Sequence, residues 1–146
     1  MALHPAKAGL SMRESLMMNA SVGILPAIAV AILLTMIGWG FYITGKAAQS
    51  GLRNRAIGFR LPALMQSEQA WKAGHSAALP TLKRWALAIT VLAAGSIAAS
   101  INAIVYLMTL ALTVFTLFMQ VAVAAILAHH AAMKSRTDRP GFHAKN

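Results

Sequence analysis

The sequence predicts an all-α membrane protein: three transmembrane helices, with an interfacial amphipathic helix between the first and second spans. Three observations carry this. Residues 85–128 are forty-four consecutive residues without Asp, Glu, Lys or Arg, about twice the ~20 apolar residues that cross a bilayer. A second uncharged run of 23 residues covers 22–44. All 13 Lys and Arg residues fall outside both runs, so the apolar residues are gathered into blocks and not spread as a soluble core requires.

The first span is placed at about 22–44, where 23 residues of helix reach roughly 35 Å at about 1.5 Å per residue, enough for a ~30 Å hydrocarbon layer with tilt. It is too long for the apolar core of a secretory leader (about 7–15 residues), although Lys7 and Arg13 precede it. The second run divides into spans at about 84–102 and 105–128, joined by a very short turn. Between the first and second spans lies a loop, 45–83, and a basic tail occupies 131–146.

Charge sets the orientation. The segment before the first span carries Lys7 and Arg13. The loop with its junction carries Lys46, Arg53, Arg55, Arg60, Lys72, Lys83 and Arg84, and the tail Lys134, Arg136, Arg139 and Lys145. Eleven basic residues against two put loop and C-terminus in the cytoplasm and the N-terminus outside. Trp39, Tyr42 and Trp85 fall at the expected cytoplasmic interface and Tyr106 at the opposite one. The net charge of +10 is then accounted for by topology and by attraction to anionic lipid headgroups, about 1 kcal/mol per basic residue near the surface. A nucleic-acid partner is not expected, because the basic residues form no soluble domain with stacking aromatics.

The loop has structure of its own. Gly51, Gly58 and Pro62 punctuate its first part. Ser67 then opens a helical pattern over about 67–79, its hydroxyl placed to cap free N–H groups and Glu68 at the positive end of the helix dipole. Trp71, His75, Ala78 and Leu82 follow at steps of four, three and four, forming one stripe. Gln69, Lys72, Ser76 and Lys83 fall on the other side, which suits the membrane interface. Pro80 is expected to kink or break this helix before the second span.

The segment GFRLP at 58–62 followed by SEQAWKAGH at 67–75 resembles the SdpI family of small bacterial integral membrane proteins. That family shows a G-x-R-T-P-like segment, then S-x-x-x-W with a polar residue four positions on, ahead of a pair of apolar helices. Gly58, Arg60, Pro62, Ser67, Glu68, Trp71 and His75 match it, Leu61 stands where Thr is usual, and His75 stands where Asn is also common. The resemblance implies a bacterial plasma-membrane protein with a role in immunity to a membrane-active peptide, and it makes these seven residues the candidate binding motif. Arg60 suits a lipid phosphate or a carboxylate, and Glu68 is an expected ion-pair partner for Arg60 or Arg53. Trp71 reads as an interfacial anchor, and His75 as either a pH-sensitive group or a locally satisfied one.

Within the third span, Thr109, Thr113, Thr116 and Gln120 share one face. The second span offers Ala88, Leu92, Gly95, Ala99 and Asn102 at matching steps. This predicts a hairpin seam of small residues and interhelical hydrogen bonds. Apart from Arg84 at the very start of the second, none of the three spans holds a charged residue or a histidine, which argues against ion-coupled transport. His129 and His130 are expected to point apart at a solvated helix end, with His143 remote, so no metal site is expected. With three acidic residues and no cysteine, no nucleophile–base pair is visible. The sequence therefore reads as non-enzymatic and without a cofactor. A protective factor binding a peptide and an accessory subunit of a larger membrane complex are the two expected roles.

Overall fold

The computed structural model describes residues 23–50 and 58–137. It is all-helical there: α1 (Ile24–Ser50), a short 3-10 turn at Leu64–Gln66, α2 (Glu68–Ala99) and α3 (Ala103–Thr137). The three α-helices are each long and apolar enough to cross a membrane. Lys7, Arg13, Gly51, Arg53, Arg55, Arg139, His143 and Lys145 lie outside the described residues.

α2 is the middle helix. It packs extensively against both α1 and α3, whereas α1 and α3 scarcely touch each other. Gly23 and Ile24 share a groove with Ile97 and Ile101, placing the start of α1 beside the α2–α3 turn. The end of α1, the 58–66 segment, the start of α2 and the end of α3 gather at the opposite end. All described charged residues (Lys46, Arg60, Glu68, Lys72, Lys83, Arg84, Lys134 and Arg136) are carried by segments of this second, basic end.

In a lipid environment helices associate through close packing and hydrogen bonds, because apolar side chains are equally at home in the lipid. The buried positions on α1 are accordingly small: Ala27, Ala31, Gly38, Gly45 and Ala48. Ile89 of α2 fits over Gly38 and Leu82 over Gly45, where added Cβ atoms would lie 3.2 and 2.9 Å from the opposing side chains. Pro26 falls in the first turn of α1, where an N–H has no helical partner to lose. Large apolar residues such as Val91 (72% exposed) and Phe118 (69%) point outward, as a lipid-facing surface requires.

Sequence and structure part company at Pro80. α2 continues through it as one helix of 32 residues, so the 67–79 stretch is not a separate element. The stripe that begins at Trp71 and His75 runs on through Ala78, Leu82, Ala86, Ile89, Ala93 and Ser96, all buried. The seam on α2 is therefore this face, not the face of Ala88, Leu92, Gly95 and Ala99. Ala88 and Gly95 are exposed, and nothing lies within 4 Å of a Cβ added at Gly95. An unbroken helix carries its phase through the proline; a break would have allowed a new one.

On α3, Thr113 and Gln120 are fully buried, Thr116 is 7% exposed and Thr109 is half-buried. The three threonines do not bond across the seam. Each donates to a carbonyl one turn back on α3, at 2.6–2.7 Å. Gln120 does cross: its Nε2 donates to the Gly38 carbonyl of α1 at 3.1 Å and the Leu82 carbonyl of α2 at 3.0 Å, tying all three helices. Its Oε1 is buried without a partner. Asn102 caps α3, with Oδ1 accepting from the Ile104 and Val105 N–H groups at 3.0 and 3.2 Å. α3 also runs beyond the expected tail boundary at 131, since AAMKS offers good helix formers and no breaker before Pro140.

Two contrasts test this packing by thermal unfolding in detergent. A Cβ at Gly74 would sit 2.9 Å from the backbone oxygen of Ala128, so Gly74→Ala is expected to cost about 1–3 kcal/mol. Gly95→Ala, into open space, is expected to be neutral or to gain up to about 1 kcal/mol from helix propensity. Gln120→Glu, which replaces the shared donor by an acceptor facing two carbonyls, is expected to unfold at a lower temperature than Gln120→Met.

Candidate functional site

Four segments converge at the basic end: the last turns of α1, residues 58–66, the first turns of α2 and the last turns of α3. Ser67, in an extended conformation, starts α2 by accepting from the Ala70 N–H at 3.1 Å. Before it, the Leu61 carbonyl receives the N–H groups of Leu64 and Met65 at 3.0 and 3.1 Å. This tight turn drives Leu64 inward, where it is fully buried with Ala63, Ala70, Ala124 and Ala128.

Trp71 and His75, one turn apart on α2, hold this segment and α1 together. The indole Nε1 donates to the Ala48 carbonyl near the end of α1 at 2.8 Å, and the residue is fully buried. Trp71 is thus an internal tie and not an interfacial anchor. The His75 ring lies tilted against Trp71, with centroids 4.2 Å apart, and stacks toward the Phe59 ring at 6.0 Å. Its Nδ1 lies 2.9 Å from the Trp71 carbonyl and its Nε2 accepts from the Phe59 backbone N–H at 3.1 Å. A carbonyl can only accept, so Nδ1 carries the hydrogen and Nε2 is the free lone pair, which makes this the neutral ring. Protonation at Nε2 would set a donor against a donor.

Gly58 completes the arrangement. It has φ +100°, a conformation that L side chains rarely adopt. A Cβ there would lie 2.5 Å from His75 Nε2 and 2.8 Å from the Cβ of Ala48. Space and backbone conformation both require glycine. Beside this clamp, Gln49 Nε2 donates to Ser76 Oγ at 2.9 Å, a second tie from α1 to α2 next to the carbonyl that Pro80 leaves without its helical donor.

The remaining motif residues face outward. Arg60, Pro62 and Glu68 are exposed, and the expected Arg60–Glu68 ion pair is not formed. Their positions explain this: Arg60 precedes the Leu61 turn, whereas Glu68 follows the Ser67 cap and points away from the buried stripe of α2. The motif therefore has two parts, an inner clamp of Gly58, Trp71 and His75 and an outer face with Arg60 and Glu68. Phe59, Ala48, Leu64, Gly74 and Ala128 join the clamp without having been singled out in the sequence. Only Gly74 had a local signal, a glycine one position before His75 on the same helix.

Among comparisons with known proteins, the model of the SdpI/YfhL protein family matches residues 52–128, more than half of the chain, spanning the clamp, α2 and most of α3. No curated protein and no solved structure matches.

A double-mutant cycle tests the clamp. Gly58→Ala is expected to cost about 3 kcal/mol or more, from backbone strain and overlap with His75. His75→Ala makes room for the new Cβ, so the double variant is expected to lose less than the sum of the single losses. Trp71→Phe, which keeps the ring and removes the donor to Ala48, is expected to cost about 1 kcal/mol. Each is read by thermal unfolding of detergent-solubilised protein.

Proposed function

The chain belongs to the SdpI/YfhL family, and we propose that it is a non-catalytic multi-pass membrane protein that protects the bacterium making it against a membrane-active peptide. The observation that carries this reading is how the family motif is used. Its polar inner residues are consumed in joining helices: Trp71 by Ala48, and His75 by Trp71 and Phe59. Among the described residues, no nucleophile is hydrogen-bonded to them. What the motif leaves free is a rigidly held outer face bearing Arg60 and Glu68, suited to binding rather than to bond-making.

In this reading the basic end lies in the bacterial cytoplasm, following the positive-inside distribution, with the N-terminus outside. α2, at 32 residues, is about 48 Å long, some 18 Å more than a ~30 Å hydrocarbon layer needs. Lys72, Lys83 and Arg84 are all exposed on it, so its first turns stand at the interface, with the long side chains of Lys83 and Arg84 reaching back toward the headgroups.

A second reading, an accessory subunit of a larger membrane complex, is favoured by one observation. α1 is held almost entirely by α2, leaving Ile32, Leu33, Met36 and Ile43 open on its outer side.

Deletion of the gene separates the two. Under the protective role, the deletion strain becomes more sensitive to membrane-active peptides in a growth-inhibition panel, the intact gene restores resistance, and Gly58→Ala restores it poorly. Unchanged resistance, together with recovery of the tagged protein at fixed stoichiometry with a larger complex, supports the subunit role instead.

A further inference from the structure

At the basic end, α3 and the clamped segment border a groove of about 250 Å³ lined by Leu61, Ala125, Ile126, His129 and His130. Its floor is apolar and its rim carries two imidazoles. Contrary to the expectation that adjacent histidines diverge, the two rings stand edge to face, 6.0 Å apart, at the same mouth. Ile126, His130 and Lys134 follow at steps of four, so they share one helix face. That face passes from aliphatic to imidazole to ammonium over eight residues, about 12 Å. Leu61 is delivered by the clamp, and exposed Arg60 is its chain neighbour. Glu68 is the single described acidic residue, and it sits at the start of α2, outside the groove lining.

We propose that this groove holds one anionic phospholipid. The acyl chain lies along Leu61, Ala125 and Ile126, and the phosphate is bound by imidazole N–H donors of His129 and His130 with the Lys134 ammonium beyond them. The order of the groups carries the assignment. A lipid at a membrane interface needs apolar contact, then hydrogen-bond donors, then positive charge, along the helix as it leaves the span. The larger groove at the opposite end, about 520 Å³ between Ile24, Ile97 and Ile101, has Ser100 as the single polar side chain among its described lining residues and no basic group there for a phosphate.

The test uses the full-length protein, purified in detergent, delipidated and titrated with phosphatidylglycerol or phosphatidylcholine of the same acyl composition, with bound lipid counted by native mass spectrometry. One phosphatidylglycerol is expected to be retained, about tenfold more tightly than phosphatidylcholine. The variant His130→Ala/Lys134→Gln, altered only at exposed positions, is expected to lose the preference, and Lys72→Gln on α2 to keep it. Circular dichroism checks that the helices persist. Equal retention of the two lipids, or a preference that survives the His130/Lys134 variant, overturns the proposal. Displacement of the lipid by inorganic phosphate at matched concentration also overturns it, in favour of a free-anion site.

Discussion

Everything in this bundle hangs on one face of one helix. Trp71, His75, Ala78, Leu82, Ala86, Ile89, Ala93 and Ser96 form an uninterrupted buried stripe along α2, and both other helices pack against that helix while hardly meeting each other. Because lipid gives apolar side chains no reason to leave it, such a stripe works by shape. Leu82 and Ile89 enter the gaps left by Gly45 and Gly38, and Gly74 lets the α3 backbone come close at Ala128. Gln120 adds a side-chain bridge from α3 to both partners. Each such bond in a membrane contributes only about 0.6 kcal/mol on average and up to about 1.7, so it fixes register more than it supplies stability.

The basic end converts this packing into a rigid surface. Trp71 and His75 belong to the stripe, yet each also reaches a backbone group outside α2: the Ala48 carbonyl on α1 and the Phe59 N–H on the incoming segment. The segment bearing Arg60 and Leu61 is thereby held by the same residues that hold the helices together. The three described helices in this way hold a defined face at the basic end. The neutral, doubly bonded His75 ring explains why a polar residue is kept at a fully buried position: it satisfies a backbone N–H that an apolar side chain would leave unpaired.

Much of the fold was legible because its signals are long. Runs of 23 and 44 uncharged residues leave little but membrane helices, and the face of Thr113, Thr116 and Gln120 followed from spacing alone. The motif residues, too, were readable as a group. Their roles were not, since the direction of Trp71 depends on where α1 ends, and α1 continues to Ser50, beyond its uncharged run. The seam on α2 differs from the expected face of Ala88, Leu92, Gly95 and Ala99, because small residues occur on several faces of this helix and their spacing alone does not pick the one that packs. Carrying the steps of the Trp71–Leu82 stripe through the proline leads directly to Ala86, Ile89, Ala93 and Ser96. Gly58 read as a flexible point, because its positive φ and its contact with His75 depend on a partner 17 residues away.

Continuity of that face through Pro80 is the central claim, and disulfide cross-linking in membranes tests it most directly. The chain has no cysteine of its own, and a Cβ at Gly38 would lie 3.6 Å from the Cβ of Ile89, within the roughly 3.5–4.5 Å that a disulfide spans. The pair Gly38→Cys/Ile89→Cys is expected to oxidise readily, read as loss of both thiols to a maleimide mass tag, while Gly38→Cys/Ala88→Cys remains reduced. Efficient bonding through position 88 and not 89 would mean that α2 changes phase at Pro80, and would contradict the account.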